Sequence, residues 1–203
     1  MLTIIDYGVG NVLAFANVFT RLNIPFAIAK RATDLAQATK VILPGVGSFD
    51  FAMQTLNESG MRSKLEHLVI EKGIPAIGIC VGMQMLAESS EEGQLPGLGW
   101  IKGTVRQFSF EKELKLPMPH MGWNDVTPSV NSPLFKGLEK DSIFYFLHSY
   151  YFDAKESGNV LSLSNYGFDF HSSVHKDNIY GVQFHPEKSH SYGHTLLKNF
   201  SEL

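Results

Sequence analysis

The chain has 203 residues, of which 44% are hydrophobic and 18% are charged, and its formal net charge is -3 at pH 7. This length suffices for one domain with a sizeable core, and the slightly acidic balance gives no basic surface for nucleic acid or an anionic membrane. A single cysteine excludes an intrachain disulfide and a cysteine-based metal cluster, and we expect neither a metal nor a cofactor. The N-terminus lacks the basic segment of a signal peptide, and no apolar run is long enough to span a bilayer, which indicates a reducing, cytoplasmic compartment.

The first part of the chain alternates between short apolar segments and helical segments. Strands are predicted at residues 2–6, 25–29, 41–43 and 76–80, and helices at about residues 12–22, 48–56 and 61–73. The glycine-rich turn at residues 7–11 lacks the full spacing of a dinucleotide-binding or phosphate-binding loop, and Ser48 is suited to cap the second helix. This alternation predicts a parallel sheet with helices on both faces.

Beyond Gly93 the pattern becomes rich in strands. Strand-like segments are predicted at residues 100–108, 143–152, 159–166, 170–175 and 179–184, with a hairpin around residues 176–178 and a closing helix at about 191–200. The sequence therefore predicts one domain over residues 1–203. Its expected fold is α/β, with a central, mostly parallel sheet and an antiparallel extension in the second half.

The single cysteine, Cys80, ends the apolar run at residues 76–80, with Gly78 before it and Gly82 after it. A strand, a tight turn and a helix in this order form a nucleophile elbow, where small flanking residues allow the backbone to approach closely. A thiol at a helix N-terminus is favoured as the thiolate, which is the nucleophilic form. A buried, inert cysteine at the end of a strand is the alternative, because free cysteines are often buried.

A histidine and a carboxylate in suitable positions follow the last predicted strand. Pro186 cannot donate to a sheet, so the strand must end near His185, and residues two apart on an extended segment share a face. Glu187 is therefore placed to orient the His185 ring, whose other nitrogen can take the thiol proton. Alone, this segment is more typical of a turn with a surface histidine; together with the cysteine elbow it predicts a catalytic triad of Cys80, His185 and Glu187.

An acyl-transfer site also needs donors to the oxyanion. At an elbow, one donor is the N–H after the nucleophile, here Val81, and the second comes from the loop after another strand. The loop at residues 44–47 is the candidate, because its glycines permit an inward-pointing N–H at Val46 or Gly47. The same loop is also a tight strand-to-helix turn.

Residues 78–84 and 185–187 together resemble the class I (triad) glutamine amidotransferases. The stretches at residues 6–11, 44–49 and 119–124 resemble, within that class, the HisH family of glutaminase subunits of imidazole glycerol phosphate synthases. The resemblance runs in order over nearly the whole chain and implies the flavodoxin-like sheet of that class. Val81 departs from the leucine that is common in the family, but only its N–H is required.

The resemblance implies roles for individual residues. Cys80 would attack the side-chain amide of L-glutamine, releasing ammonia, while His185 moves the proton and water completes hydrolysis to glutamate. The glutamine pocket would be formed by Gly45, Gln84, Glu92, Ser149 and Tyr150. The ammonia would pass inside a heterodimer to a (βα)₈-barrel cyclase subunit, HisF, for histidine biosynthesis. The residues implied to face that partner are Asn11, His120, Met121, Trp123, Asn124 and Lys188.

Three other interpretations remain open from the sequence. Residues 85–90 and 95–100 resemble HisH-like paralogues that supply ammonia to a sugar amidotransferase in surface-polysaccharide biosynthesis. A non-catalytic regulatory subunit would keep the fold, although an intact triad argues against it. A peptidase or another hydrolase would not need Gln84, Glu92 or the stretch at residues 119–124.

Overall fold

The computed structural model describes residues 1–110, 116–129, 131–138 and 142–203. Its strands are β1 (Leu2–Ile5), β2 (Phe26–Ala29), β3 (Lys40–Gly45), β4 (Ala76–Cys80), β5 (Ser89–Ser90), β6 (Gly103–Gln107), β7 (His120–Asp125), β8 (Thr127–Pro128), β9 (Ile143–His148), β10 (Tyr150–Ala154), β11 (Val160–Asn165), β12 (Asp169–Lys176) and β13 (Ile179–Val182). Its α-helices are α1 (Val12–Arg21), α2 (Phe49–Glu58), α3 (Arg62–Glu66), α4 (Val81–Gln84) and α5 (His190–Glu202). No helix in these ranges is long and apolar enough to cross a membrane.

The main sheet has the strand order β2-β1-β3-β4-β13-β12-β11-β8 among the described residues. Strands β2, β1, β3, β4 and β13 are parallel, and β12, β11 and β8 continue the sheet with antiparallel pairs. This confirms the predicted mostly parallel sheet with an antiparallel extension. Every residue of β1 and β4 is buried, as expected for strands covered on both faces.

Two glycines allow α4 to lie directly against the sheet. A side chain at Gly82 would meet the backbone of Leu43, with the added Cβ 3.0 Å from the Leu43 carbonyl carbon. A side chain at Gly78 would lie 2.8 Å from the backbone nitrogen of Met83. Because atoms of the backbone cannot move aside cheaply, the close contact between β4 and α4 requires glycine at both positions. The end of β4 is thereby fixed beside the end of β3.

The second half departs from the predictions in two places. The single strand predicted at residues 143–152 is two strands, because the chain breaks at Ser149 and β9 and β10 enter different sheets. Strand β9 pairs with β7, which the sequence did not indicate as a strand, in an antiparallel two-stranded sheet.

The Ser48 prediction is also corrected: Ser48 occupies the N-cap position of α2, but its side chain makes no capping hydrogen bond.

Candidate active site

The elbow at Cys80 has the backbone conformation that a nucleophile turn requires. Cys80 follows β4 directly and has φ of 55° and ψ of -114°, a region that residues other than glycine rarely adopt. Its side chain is 4% exposed, and its Sγ lies 3.9 Å from the carbonyl oxygen of Leu147. Helix α4, which begins at the next residue, has only four residues.

His185 and Glu187 form a buried pair. His185 Nδ1 donates to Glu187 Oε1 over 2.8 Å, and the two side chains are 4% and 2% exposed. The His185 backbone is held on both sides, since its N–H donates to the Tyr145 carbonyl and its carbonyl accepts from Ser189 Oγ. Burial alone would lower the pKa of His185, but the hydrogen bonds and charges of Cys80 and Glu187 raise it to about 10. The structure thus brings the three predicted triad residues together.

The loop after β3 lies against the elbow. A Cβ added to Gly45 would be 2.8 Å from the Val81 carbonyl carbon, so glycine is required where β3 and α4 meet. Gly47 has φ of 83°, and Val46 is 43% exposed beside it. Tyr7 Oη donates to the Pro44 carbonyl over 2.8 Å and fixes the start of the loop. Val81, Val46 and Gly47, the three residues predicted to supply oxyanion donors, therefore line one cavity with Cys80.

This cavity, called the Cys80 cavity below, has a volume of about 290 Å³. That volume suits a small metabolite more than a peptide segment. The lining of the cavity includes every residue predicted for the glutamine pocket except Gly45, which lies opposite Cys80 in the pairing of β3 with β4. The full lining is Val46, Gly47, Cys80, Val81, Gln84, Glu92, Pro119, Leu147, His148, Ser149, Tyr150, His185 and Lys188.

Gln84 and Glu92 provide polar side chains in the lining of the cavity. Gln84 Nε2 donates to the Tyr150 carbonyl and to Gln183 Oε1, each over 3.1 Å, which uses both amide hydrogens. Glu92 Oε2 accepts from the Phe49 N–H over 2.8 Å, in place of the expected Ser48 cap. Burial raises the pKa of Glu92, the Phe49 N–H partly offsets this, and the nearby Asp50 charge adds to the rise. These contacts hold both side chains in fixed positions.

Gln183 is a site residue that the sequence reasoning missed. It is fully buried, and its Nε2 lies 3.8 Å from Cys80 Sγ while its Oε1 accepts from Gln84. The signal in the sequence was an amide side chain between Val182 and Phe184, in a strand that is otherwise apolar. A buried amide needs hydrogen-bond partners, so its presence two residues before His185 indicated a polar neighbour such as the thiol.

The residues predicted to face a partner differ in exposure. Met121 is 65% and Trp123 46% exposed on β7, and Lys188 is exposed beside the Cys80 cavity. Asn11 is exposed, and its side chain caps α1. His120 does not face outward as predicted, because the alternation of β7 turns its side chain inward and leaves it 3% exposed. Asn124, partly buried, bonds to His120 and to the Asn165 carbonyl.

Comparisons with known proteins agree on one family. The sequence profile described as "Glutamine amidotransferase class-I" matches residues 3–202. The chain is 59% identical to a Bdellovibrio bacteriovorus protein named "Imidazole glycerol phosphate synthase subunit HisH" and 46% identical to "HisH 2" of Pseudomonas aeruginosa, with 100% of both chains covered in each case. A solved structure described as a glutamine amidotransferase has a TM-score of 0.77 at 19% identity, over 99% of this chain and 97% of that one. The chain therefore belongs to the class I glutamine amidotransferases.

Proposed function

We propose that this chain is the glutaminase subunit of an imidazole glycerol phosphate synthase and that it hydrolyses L-glutamine to L-glutamate and ammonia. The observation that supports this most directly is the Cys80 cavity, because Cys80 and His185 line it together with Gln84 and Glu92. The full-length relatives that share about half or more of its residues carry the name of that subunit. Residues 1–203 act as one catalytic domain in the cytoplasm.

The chemistry follows from the positions of the three triad groups. The Cys80 thiolate attacks the side-chain carbonyl carbon of glutamine, and the carbonyl electrons move onto the oxygen, which the N–H groups of Val81 and of the Val46–Gly47 loop stabilise. Collapse breaks the C–N bond, and His185 gives its proton to the departing ammonia, leaving a thioester. Water then attacks the thioester, His185 takes its proton, and the thiolate leaves. Glu187 orients the ring through both steps.

The other end of glutamine carries an ammonium and a carboxylate. Glu92 and Gln84 Oε1 accept hydrogen bonds from the ammonium, while backbone N–H groups near Ser149 and Tyr150 bind the carboxylate. Ser149 lies between β9 and β10, and Tyr150 begins β10 opposite Gln107 of β6. Gly45, opposite Cys80 in the pairing of β3 with β4, contributes its backbone to the substrate pocket.

The partner is a (βα)₈-barrel cyclase subunit, HisF, which receives the ammonia. Free ammonia in water at neutral pH is mostly protonated and loses its nucleophilicity, so a closed route between subunits preserves its reactivity. Met121 and Trp123 form an exposed apolar surface on β7, and Met121 is opposite Leu147, which lines the Cys80 cavity. An apolar surface beside the site of ammonia release is suited to an interface.

A sugar amidotransferase of surface-polysaccharide biosynthesis is the second candidate partner, favoured by the sequence at residues 85–90 and 95–100. The two candidates are distinguished by co-purification of the tagged chain from its own cells, followed by identification of the bound protein. Recovery of a cyclase barrel supports the proposal, and recovery of a sugar-modifying enzyme overturns the pathway while leaving the glutaminase chemistry intact.

The chemistry is tested with Cys80→Ala. This variant should release no glutamate from glutamine, while its complex with the partner still uses added ammonium as the nitrogen source. The ammonium-dependent reaction is the internal control, because it requires a folded chain and an intact interface but no thiol. Glutamate release at the wild-type rate by the variant would show that Cys80 is not the nucleophile.

A further inference from the structure

Two buried imidazoles, one of which lines the Cys80 cavity, take no part in the chemistry described above. His120 on β7 and His148 at the end of β9 are 3% and 6% exposed. His120 Nδ1 lies 2.9 Å from His148 Nε2, and His148 Nδ1 lies 2.8 Å from the carbonyl oxygen of Tyr150. The two rings therefore connect β7 to the strand break where glutamine is expected to bind.

The hydrogen bonds of the two rings have only one consistent direction. The Tyr150 carbonyl can only accept, so His148 Nδ1 must carry the proton. In a neutral ring its Nε2 is then an acceptor, which requires a proton on His120 Nδ1, and burial lowers the pKa of His148 enough to keep the ring neutral. His120 Nε2 in turn accepts from Asn124 Nδ2 over 3.2 Å. Each ring is thus a neutral imidazole with its proton on Nδ1.

Asn124 fixes this direction at the outer end. Its Oδ1 accepts from the Asp125 N–H and its Nδ2 donates to the Asn165 carbonyl, each over 2.8 Å, so the amide cannot be reversed without breaking both bonds. The surroundings are aromatic, with the Tyr166 ring stacked 4.0 Å from that of His120. Burial lowers the pKa of His120 to about 4 and of His148 to about 3.

The inner end of this chain reaches the catalytic thiol. The Tyr150 carbonyl accepts from Gln84 Nε2 as well as from His148. Gln84 also donates to Gln183, and Gln183 donates to Cys80 Sγ. The Tyr150 carbonyl is therefore the junction between the two histidines and the side chains that line the glutamine end of the cavity.

We propose that Asn124, His120 and His148 form a neutral histidine relay that positions the Tyr150 peptide and Gln84 to bind the amino-acid end of glutamine. This inference rests on the proposed function, because it assigns the relay to the glutamine pocket. His120 and His148 are positioning residues: they act through the Tyr150 carbonyl and touch no reacting atom. The relay sets the affinity for glutamine.

Two variants of His148 separate positioning from packing. In His148→Asn the side-chain amide nitrogen can occupy the place of Nδ1 and still donate to the Tyr150 carbonyl. In His148→Gln the amide extends toward the place of Nε2, and the bond to Tyr150 is lost. His175→Gln is the control, since His175 lies on β12, outside the Cys80 cavity.

One assay measures both quantities on the free chain. The rate at which iodoacetamide alkylates Cys80 without glutamine reports thiol reactivity, and the glutamine concentration that halves this rate reports affinity. We expect His148→Gln to raise the half-protecting concentration about tenfold, and His148→Asn to raise it less than threefold. The alkylation rate without glutamine is the reference for each variant, and His175→Gln should match the wild type in both quantities. Equal losses of affinity in both variants, or no loss in His148→Gln, would overturn the relay.

Nitrogen NMR of the wild-type imidazoles tests the relay independently of activity. At pH 7 both His120 and His148 should give the neutral Nδ1–H signature, whereas isolated histidines favour a proton on Nε2. An Nε2–H tautomer or an imidazolium at either ring would overturn the inference. A wild-type chain that shows both expected tautomers but that glutamine does not protect would instead overturn the proposed function.

Discussion

Replacement of Glu187 by Gln isolates the charge of the carboxylate that orients His185. The amide oxygen can take the place of Oε1 and still accept from His185 Nδ1, so geometry and tautomer are preserved. Glu187 Oε2 is buried without a hydrogen-bond partner. The amide nitrogen of the new glutamine can therefore take the place of Oε2 without breaking a hydrogen bond. A hydrogen bond to a charged group contributes about 1.5–3 kcal/mol, compared with about 1 kcal/mol between neutral groups. The exchange should therefore cost about 0.5–2 kcal/mol.

At about 1.4 kcal/mol per factor of ten, this cost lowers kcat/KM for glutamine roughly 2- to 30-fold. Because the Glu187 charge helps to raise the pKa of His185, and His185 must hold a proton to give to the departing ammonia, its removal should also shift the alkaline limit of glutamate release to lower pH. Glu71→Gln is the matched control: Glu71 pairs with His67 over 2.7 Å, but the side chains are 68% and 41% exposed. The reasoning is refuted if Glu187→Gln and Glu71→Gln give the same rates and the same pH profile.

Three further predictions concern packing, the interface and pH. Gly45→Ala should lower glutamate release at least tenfold, because the new methyl group meets the Val81 backbone. Gly158→Ala is the control and should leave glutamate release unchanged, since a Cβ added there meets nothing within 4 Å. Met121→Asp should lower the amount of partner that co-purifies at least tenfold. Ile70→Asp, at another exposed apolar site, should not lower it. If both variants retain the same amount of partner, β7 is not part of the interface. The two relay histidines have lower pKa values in the folded chain than the value of about 6.5 expected in the unfolded chain. Below that pH the unfolded chain therefore binds more protons than the folded chain, and stability falls as the pH falls. These two histidines should contribute about 2 kcal/mol to the fall in stability between pH 6 and pH 5, and urea denaturation should show the total fall smaller by roughly half of that contribution in His148→Gln.

The parallel half of the fold was predictable because its signals are local. Each strand of the parallel half is a short apolar run followed by a helical segment. A parallel sheet covered by helices on both faces buries the apolar side chains of such strands. The position of Cys80 followed from the same signals, since Gly78 and Gly82 mark the close approach of strand and helix. The prediction placed Glu187 beside His185, as the structure does, because the two are only two residues apart.

The second half and the polar network depend on contacts between distant residues. The residues near Ser149 do not indicate that β9 and β10 belong to different sheets. The break is set by distant partners, because β9 pairs with β7 and β10 pairs with β6. The inward turn of His120 followed from its pairing with His148, 28 residues away. Periodicity can indicate that a residue alternates with its neighbours, but it cannot say which of the two faces is covered.

Cys80 is the single cysteine of the chain. If peroxide oxidises it to a sulfenic acid, no second thiol within the chain can convert that product to a protective disulfide, so recovery depends on a small external thiol. Each oxidised molecule should lose its ability to release ammonia. The increase in intact mass by one oxygen at this residue would therefore report the inactive fraction directly, provided that the methionines remain unmodified.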